Sequence, residues 1–432
     1  MHNKIIGFVL LILSHQVYSA ANIENWHTSQ GSPVFYVETK GLPMVDIRLI
    51  FDAGSARDGD QYGLASLTSA LLDTGAGPWN ADQIANRFES VGAQFSTSVS
   101  KDMASLSLRS LTAEKLLQKS LKTLRAIVSQ PVFNEADFQR EKQRTLASLK
   151  HREESPGALA SIAFAKVLFK DHPYAHPGSG VVETVLSFSA DDLKAFYKKY
   201  YVANNAMVVI VGDIKKQQAM EIAESLVVDL ATGTKPPVLT EVASPKQGIK
   251  QHIEYPSSQT HVLAGLVGMH RKDPDYFSLY VGNHILGGSG LVSQLFGEVR
   301  EKRGLAYSAY SYFSPLLRKG TFTMGLQTRN DQTSQAVQVM QETLTNFVEQ
   351  GPSEQELIAA KKNITGGFAL RFDTNNKLTG YVSMIGFYQL ALDYLEVFQQ
   401  KVEAVTLESI RDAFNRRVKP ENINTITVGA SQ

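Results

Sequence analysis

Residues 286–307 read LGGSGLVSQLFGEVREKRGLAY, and three successive patterns in this stretch predict a loop, a helix and a strand. Three glycines open the stretch and supply backbone freedom that other residues lack, which predicts a glycine-rich loop. Apolar residues then recur at helical spacing and predict a helix with one apolar face, which Gly304 would end. From residue 305 to residue 313 the side chains alternate in an aromatic-rich run, which predicts a strand with Tyr307 in phase with Ala309. The glycines are Gly287, Gly288 and Gly290, and the apolar helix positions are Val292, Leu295, Phe296 and Val299.

This arrangement would leave Arg300 in the last turn of the helix and Tyr307 near the start of the strand, so that both point into one cleft. On position alone, an arginine in a last helical turn is explained by the helix dipole or by solvent. A strand tyrosine is ordinarily a half-buried packing residue. Position alone therefore gives neither residue a function.

The same stretch closely resembles the Arg/Tyr segment of the M16 zinc peptidases, the pitrilysin and mitochondrial-processing-peptidase-like family. In that family a glycine-rich run leads into LF-x-x-x-R-E-x-x-G-L-A-Y. The resemblance implies that Arg300 binds a substrate carbonyl and that Tyr307 stabilises the tetrahedral intermediate. It also implies that Gly287, Gly288 and Gly290 contact substrate.

The composition is that of an ordinary globular protein. The chain has 432 residues, 43% hydrophobic and 20% charged, and a length that favours two domains. Lys and Arg number 43 against 42 Asp and Glu, a net charge of +1 that suggests no nucleic-acid partner. The sequence contains no cysteine, which excludes disulfides and a lipoprotein anchor.

Residues 1–19 have the pattern of a secretory signal peptide. Lys4 precedes an apolar run from Ile5 to Leu13, and small residues lead to a cleavage site between Ser19 and Ala20. An uncleaved membrane anchor is the alternative, but the run is too short to span a bilayer and no second long apolar run follows. We therefore expect an exported, soluble protein in a bacterial periplasm.

The mature sequence repeats itself. The residues around Gly212 match those around Gly429 at an offset of 217, and the residues around Glu135 match those around Glu354 at an offset of 219. Two distant blocks with nearly one offset predict a duplication. The predicted fold is α+β, with two homologous tandem domains, 20–231 and 251–432, each an antiparallel sheet covered by helices, and a Pro/Gly-containing linker at 232–250. The resemblance further implies the LuxS/MPP-like metallohydrolase fold and a chain that forms half of a clamshell.

The zinc ligands of the family are missing from the first domain. M16 members that cut peptides carry H-x-x-E-H in the first helix after the first strand, because residues i and i+4 share a helix face and bring both imidazoles to one metal. Here the context matches, but the three positions hold Ser66, Ser69 and Ala70. In a later helix the supporting Glu is matched by Glu141, whereas the ligand position holds Ser148. The resemblance therefore implies that this chain binds no zinc there.

Other metal sites are not predicted. His172 and His176 lie four residues apart in HPYAHP, but the prolines argue against a helix that would put them on one face. A similar HPY turn is a structural loop in the M16 family. The remaining histidines are isolated, so ordinary packing or surface roles are expected for them.

The two halves therefore predict a divided function. Some bacterial M16 enzymes place H-x-x-E-H and its Zn²⁺ in one chain and the Arg/Tyr pair in another. The resemblance implies that this chain is the second type: a subunit without a cofactor of its own, inactive alone, that binds peptide for a zinc-bearing partner. The alternative is a structural or peptide-binding homologue with no role in proteolysis, and a third reading, a relocated metal site, lacks a ligand set.

Overall fold

The computed structural model describes residues 22–431. The predicted signal peptide, residues 1–19, lies outside the described residues. Within them, every helix is too short or too polar to cross a membrane. The described chain consists of two large sheets, one short hairpin and the helices that cover them.

The strands fall into two groups along the chain. The first group is β1 (Glu24–His27), β2 (Pro33–Glu38), β3 (Met44–Phe51), β4 (Gly75–Ala76), β5 (Trp79–Asn80), β6 (Gln94–Val99), β7 (Ala104–Leu111) and β8 (Ala206–Gly212). The second group is β9 (Lys250–Glu254), β10 (Gln259–Val267), β11 (Ala306–Ser314), β12 (Thr321–Arg329) and β13 (Asn424–Gly429). The central strand of each sheet, β3 and β10, is buried and rich in aliphatic side chains, as burial on both faces requires.

The helices also divide into two sets. In the first half they are α1 (Leu64–Ala70), α2 (Ala81–Glu89), α3 (Glu114–Ser129), α4 (Glu135–Glu153), α5 (Pro156–Phe169), α6 (Val182–Ser187), α7 (Ala190–Tyr200) and α8 (Lys216–Val227). In the second half they are α9 (Tyr276–Asn283), α10 (Gln294–Phe296), α11 (Thr333–Gln350), α12 (Glu354–Gly366), α13 (Asn375–Phe387), α14 (Tyr394–Glu403) and α15 (Leu407–Arg417).

Apart from β1, which has no counterpart within residues 22–431, the six strands of the first sheet and the five of the second follow the same order, which confirms that the chain consists of two similar halves. The first reads β1-β2-β8-β3-β7-β6 and the second, from its opposite edge, β9-β13-β10-β12-β11. Neighbouring strands are antiparallel except for β2 with β8 and β9 with β13, which are parallel and occupy equivalent places. Each sheet is thus mixed at one position, a detail that the predicted antiparallel sheets did not include.

The halves exchange one helix each. Helix α5 of the first half packs on β10 and β13 of the second sheet, and helix α13 of the second half packs on β3 and β8 of the first. A side chain at Gly265 of β10 would meet Phe164 of α5 at 3.0 Å, and one at Gly386 of α13 would meet Phe35 of β2 at 2.7 Å. Each half therefore supplies part of the other half's core, and the described chain packs as one body.

The segment from residue 231 to residue 249 contains neither helix nor strand. It is nevertheless held near its middle by side chains of both halves. Arg57 of the first half donates a hydrogen bond to the carbonyl of Pro237 at 2.7 Å, and Arg318 of the second half donates one to that of Leu239 at 2.7 Å. The connection between the halves is thus a pinned segment rather than a free tether.

Candidate functional site

The stretch 284–301 contains two turns of π-helix where the sequence predicted a loop and a regular helix. The first spans His284–Gly288 and the second Gly297–Glu301, with α10 between them. Two expectations are therefore wrong: Gly287 and Gly288 lie in a helical turn, and Val292, 82% exposed, does not belong to the buried face. Leu295, Phe296 and Val299 are buried as predicted. π-Turns are rare and occur frequently at functional sites.

Glycine is required at these three positions for different structural reasons. A Cβ at Gly287 would lie 2.4 Å from the backbone nitrogen of Ser311, so only glycine lets this turn approach β11 so closely. A Cβ at Gly288 would lie 2.9 Å from the Nδ2 of Asn283. Gly290 has φ +64 and open space around it, a left-handed conformation that favours glycine. The glycines thus set the path of the chain past the sheet edge.

Arg300 and Tyr307 are in direct contact. The Nη1 of Arg300 donates a hydrogen bond to the backbone carbonyl of Tyr307 at 2.8 Å, and its guanidinium lies 4.3 Å from the centre of the Tyr307 ring. Gly304, with φ +62, turns the chain between them and donates to the carbonyl of Arg300 at 2.8 Å. The structure therefore brings together the two residues that the sequence singled out.

Tyr307 is exposed because β11 begins with a bulge. Ala306 pairs with Thr328 and Ala309 with Leu326, so the register of β11 shifts between them. Tyr307 and Ser308 consequently both face solvent, and Tyr307 is 83% exposed. The Tyr307 hydroxyl makes no hydrogen bond to another residue in the range 22–431, and it is free to donate to a bound group.

A cavity of about 870 Å³ lies farther along β11, the edge strand of the second sheet. Tyr310 and Tyr312 form part of its wall, with ring centres 5.9 Å apart. Its lining also includes the glycines of the turn, Gly287, Gly288 and Gly290. Arg300 and Tyr307 lie outside the cavity, at the start of the same edge strand. Tyr307 and the tyrosines of the cavity wall thus belong to the same edge strand.

The face of α1 that would hold zinc in an active M16 peptidase is partly closed. The Ser66 hydroxyl donates to the carbonyl of Gly178 at 2.7 Å, Ser69 is buried, and Ala70 is exposed. Ser148 is exposed on α4. Among the residues that the structure describes, no three His, Cys, Asp or Glu side chains lie close enough together to hold a metal ion.

A buried polar cluster holds the start of α1, and the sequence reasoning missed it. The Asp58 carboxylate accepts hydrogen bonds from the backbone nitrogens of Gly63 and Ala65, both at 2.8 Å. His176 stacks on Tyr62 at 4.3 Å and lies 4.0 Å from Asp58. Burial raises the pKa of Asp58 to about 7 and lowers that of His176 to about 4. The sequence gives little sign of this cluster, because Asp58 lies seven residues before Ala65 and only the fold brings His176 to them.

His172 has the structural role expected for it. Its Nδ1 accepts a hydrogen bond from the backbone nitrogen of Tyr174 at 3.1 Å, so its Nε2 carries the proton and donates to the carbonyl of Thr240 at 3.1 Å. Both nitrogens are thereby occupied, and His172 is not placed to ligate a metal.

Comparisons with known proteins agree with this geometry. The family "Insulinase (Peptidase family M16)" matches residues 34–177, and "Peptidase M16 inactive domain" matches residues 187–364. The crystal structure of a peptidase M16 inactive domain from Pseudomonas fluorescens is 36% identical, with a TM-score of 0.92 over 95% of this chain and 98% of that chain. The non-peptidase homolog YmxG of Helicobacter pylori is 26% identical over 413 residues, which is 94% of this chain and 92% of the relative.

A chain of complex III2 from Candida albicans has a TM-score of 0.80 over 94% of this chain and 95% of that chain; at 16% identity it shares the fold alone. The family matches fall on both halves, and the Pseudomonas likeness spans nearly the whole chain. The positions of the zinc ligands hold Ser66, Ser69, Ala70 and Ser148. The chain therefore belongs to peptidase family M16, as an inactive homologue of that family's zinc peptidases.

Proposed function

We propose that this chain is the substrate-binding subunit of an exported, heteromeric M16 peptidase, and that it supplies Arg300 and Tyr307 to peptide hydrolysis at a partner's zinc site. The observation that carries the proposal is the Arg300–Tyr307 contact, held by a bulge and a glycine turn at a sheet edge. The positions of the zinc ligands in the first half hold serine and alanine, so the zinc would have to come from a partner chain.

The edge of β11 suits an extended peptide. An edge strand has backbone groups on its outer side that can pair with an added strand, which gives affinity without demanding a particular sequence. A peptide aligned in this way from Tyr307 would pass the Gly290 turn and enter the cavity. The bound chain would then cross the surface at which Arg300 and Tyr307 are held.

The two side chains have distinct chemical tasks. The Arg300 guanidinium has five N–H donors, and its contact with the Tyr307 carbonyl uses Nη1 alone, so other donors remain for a substrate carbonyl near the cleaved bond. The Tyr307 hydroxyl would donate a hydrogen bond to the oxyanion as it develops. The cation–π contact with Arg300 limits the movement of the ring and so preorganises that donor. The zinc of the partner would supply the activated water.

The rival function is that of a structural or peptide-binding homologue without proteolysis. In that case the Arg300–Tyr307 pair is a surface feature only, and its substitution leaves peptide hydrolysis by any partner unchanged. The exposure of Tyr307 favours our proposal, because a hydroxyl without a partner in the described chain contributes nothing to its folding.

The test is peptide hydrolysis with added Zn²⁺ by the full chain, by an M16 chain of the same organism that carries H-x-x-E-H, and by both together. We expect activity in the mixture only, and a fall of about 10²–10³-fold in kcat for Tyr307→Phe or Arg300→Ala. Tyr255→Phe, beyond the opposite sheet edge, and Arg411→Ala, exposed on α15, are the matched controls and should keep full activity.

Two outcomes would overturn the proposal. A mixture that is inert, or that ignores both substitutions, supports the structural homologue. Hydrolysis by this chain alone that a chelator stops would mean that the chain holds a metal of its own.

The exported location rests on residues 1–19 and has its own test. Amino-terminal sequencing of the protein from a periplasmic fraction should give Ala20 as the first residue. Recovery of the intact amino terminus in the membrane fraction would instead indicate an uncleaved anchor.

A further inference from the structure

The cavity beside β11 is built by both halves of the chain. The first half contributes Ser100 and Met103, from the hairpin between β6 and β7. The second half contributes the π-turn after α9, the carboxyl-terminal part of β11, and Tyr388 at the end of α13. A volume of about 870 Å³ accommodates several peptide side chains.

Two arginines give this cavity a positive charge. Arg271 and Arg371 both line it, and its lining within residues 22–431 contains no Asp or Glu. Neither arginine has an ion-pair partner within 4.0 Å in that part of the chain. Arg371 donates a hydrogen bond to the Tyr280 hydroxyl at 2.7 Å. The guanidinium of Arg271 lies 5.2 Å from the centre of the Tyr388 ring, and its buried Nε has no hydrogen-bond partner.

The nearby acids Asp102 and Asp273 accept hydrogen bonds from groups other than these arginines, and the buried Oδ2 of Asp273 has no hydrogen-bond partner in the described chain. Asp102 accepts hydrogen bonds from the hydroxyl of Tyr174 at 2.5 Å, from the backbone nitrogen of Leu317 at 2.8 Å and from the hydroxyl of Tyr388 at 3.0 Å. Asp273 accepts a hydrogen bond from Arg417 at 2.9 Å. Within residues 22–431, neither arginine thus has a carboxylate within ion-pair distance.

This charge does not depend on pH in the physiological range. Arginine stays protonated, and burial together with Arg371 lowers the pKa of His284, the histidine of the cavity, so that it is neutral near pH 7. Partly buried cations without counterions are unusual, and a carboxylate is the group that matches them best, since a guanidinium can donate two parallel hydrogen bonds to it.

We propose that the cavity beside β11 binds a carboxylate of the peptide substrate, either an acidic side chain or a free carboxyl terminus, on Arg271 and Arg371. The inference rests on the proposed function, because it assumes that a peptide lies along β11. From Tyr307 to Tyr312 a strand advances about 17 Å, at roughly 3.3 Å per residue. Arg271 lies beside Leu316, beyond Tyr312. The carboxylate therefore belongs at least about five residues from the bond that faces Tyr307, and the favoured substrates are acidic peptides.

The experiment measures binding by the full chain alone, without any partner. The probes are fluorescein-labelled decapeptides followed by anisotropy: one with a central Glu and an amidated carboxyl terminus, one with Gln in its place, and one with Gln and a free carboxyl terminus. We expect the Glu peptide or the free-acid peptide to bind about tenfold more tightly than the neutral one, as a charge-assisted hydrogen bond predicts. Which of the two is favoured identifies the source of the carboxylate.

The variants Arg271→Gln and Arg371→Gln should each reduce that preference to less than twofold. Arg411→Gln removes the same charge from the exposed surface of α15 and should leave the preference intact. The melting temperature of each variant shows whether it is folded. If Arg271→Gln does not fold, Arg371→Gln alone still tests the site.

Equal binding of acidic and neutral peptides, or an equal effect of Arg411→Gln, would overturn the carboxylate site. That result leaves the Arg300 and Tyr307 test in the mixture unaffected. Failure of all three peptides to bind would instead reject the shared premise that this chain binds peptide.

Discussion

Two regions of this protein differ in how far their polar groups are enclosed: those at α1 are packed inside, and those at β11 face solvent or line a cavity. At α1, the helix that lacks the zinc ligands, Ser66 is bonded to Gly178 and Asp58 to the backbone of the helix start. A Cβ at Gly63 would lie 2.8 Å from the Cα of Gly180, so the neighbouring chain packs closely over this helix. At β11, Tyr307 faces solvent and the cavity arginines have no counterion in the described chain. Polar groups that the neighbouring chain encloses, including the hydroxyls of Thr68 and Ser69 that are unpaired in the described chain, cannot reach a ligand, whereas the groups at β11 can.

The strongest test of the closed face compares two adjacent positions of α1. Ser69 is buried and Ala70 is exposed. Ser69→Glu should lower the free energy of unfolding by about 3–5 kcal/mol, because it places a carboxylate without a partner in the interior. Ala70→Glu should change it by less than about 0.5 kcal/mol. Urea unfolding at pH 7.5 measures both.

Equal costs at the two positions would mean that α1 is as accessible as the β11 surface, which would remove the contrast between the halves. Zinc added to either variant should leave the unfolding midpoint unchanged, since one carboxylate does not make a metal site.

The next test uses pH, because the cluster at α1 is titratable. The folded pKa of Asp58, about 7, lies above its ordinary value of 3.8. Its contribution to the free energy of unfolding is therefore fully present below about pH 4 and is lost as the pH rises through 7, by at most about 4 kcal/mol. His176 acts oppositely: its folded pKa is lowered to about 4, so its contribution is lost as the pH falls. The two contributions offset each other between pH 4 and 6.5.

Asp58→Asn should expose the His176 contribution alone. Between pH 4.5 and 6.5 the free energy of unfolding of this variant should rise more steeply with pH than that of the unsubstituted chain, since other shifted groups, such as Asp102 and His284, are common to both and cancel in the difference. Asp60→Asn, two residues away and exposed, is the control and should follow the unsubstituted chain. Parallel profiles for Asp58→Asn and the unsubstituted chain would show that Asp58 does not titrate with a raised pKa. Lys101, whose pKa burial lowers to about 8, acts above this range.

Much of the fold could be predicted from the sequence because the evidence for it is local or repeated. The matched blocks fall on equivalent helices, and their capping residues correspond: Asn134 and Ser353 cap α4 and α12, and Ser189 and Thr406 cap α7 and α15. A cap is read from a few neighbouring residues. The resemblance of residues 286–307 to the M16 family likewise identified Arg300 and Tyr307, which the structure brings into contact.

What could not be predicted depends on partners distant in sequence. Strict alternation along β11 would put the side chain of Tyr307 on the same face as that of buried Ala309. The β-bulge between Ala306 and Ala309 turns the Tyr307 side chain to solvent instead, and this bulge arises from the pairing of β11 with β12. The exchange of α5 and α13 between sheets leaves no local pattern. The positive cavity was also missed, since Arg271 and Arg371 are a hundred residues apart in the chain and only the fold makes them neighbours.

The smallest expected effect tests how the open surface of the second half is built. Gly287→Ala should lower the free energy of unfolding by about 1–3 kcal/mol, because the new Cβ would lie 2.4 Å from the Ser311 backbone nitrogen and the turn would have to move from β11. Gly290→Ala meets no neighbour, so only its left-handed backbone opposes the change, by about 1 kcal/mol. Gly380→Ala, at an uncrowded helical position in α13, is the control and should raise stability by about 0.5–1 kcal/mol. A Gly287→Ala variant as stable as the Gly380→Ala control would mean that the glycine turn does not depend on its close approach to β11. The edge surface of the second half would then be formed by β11 alone, without a contribution from the glycine turn.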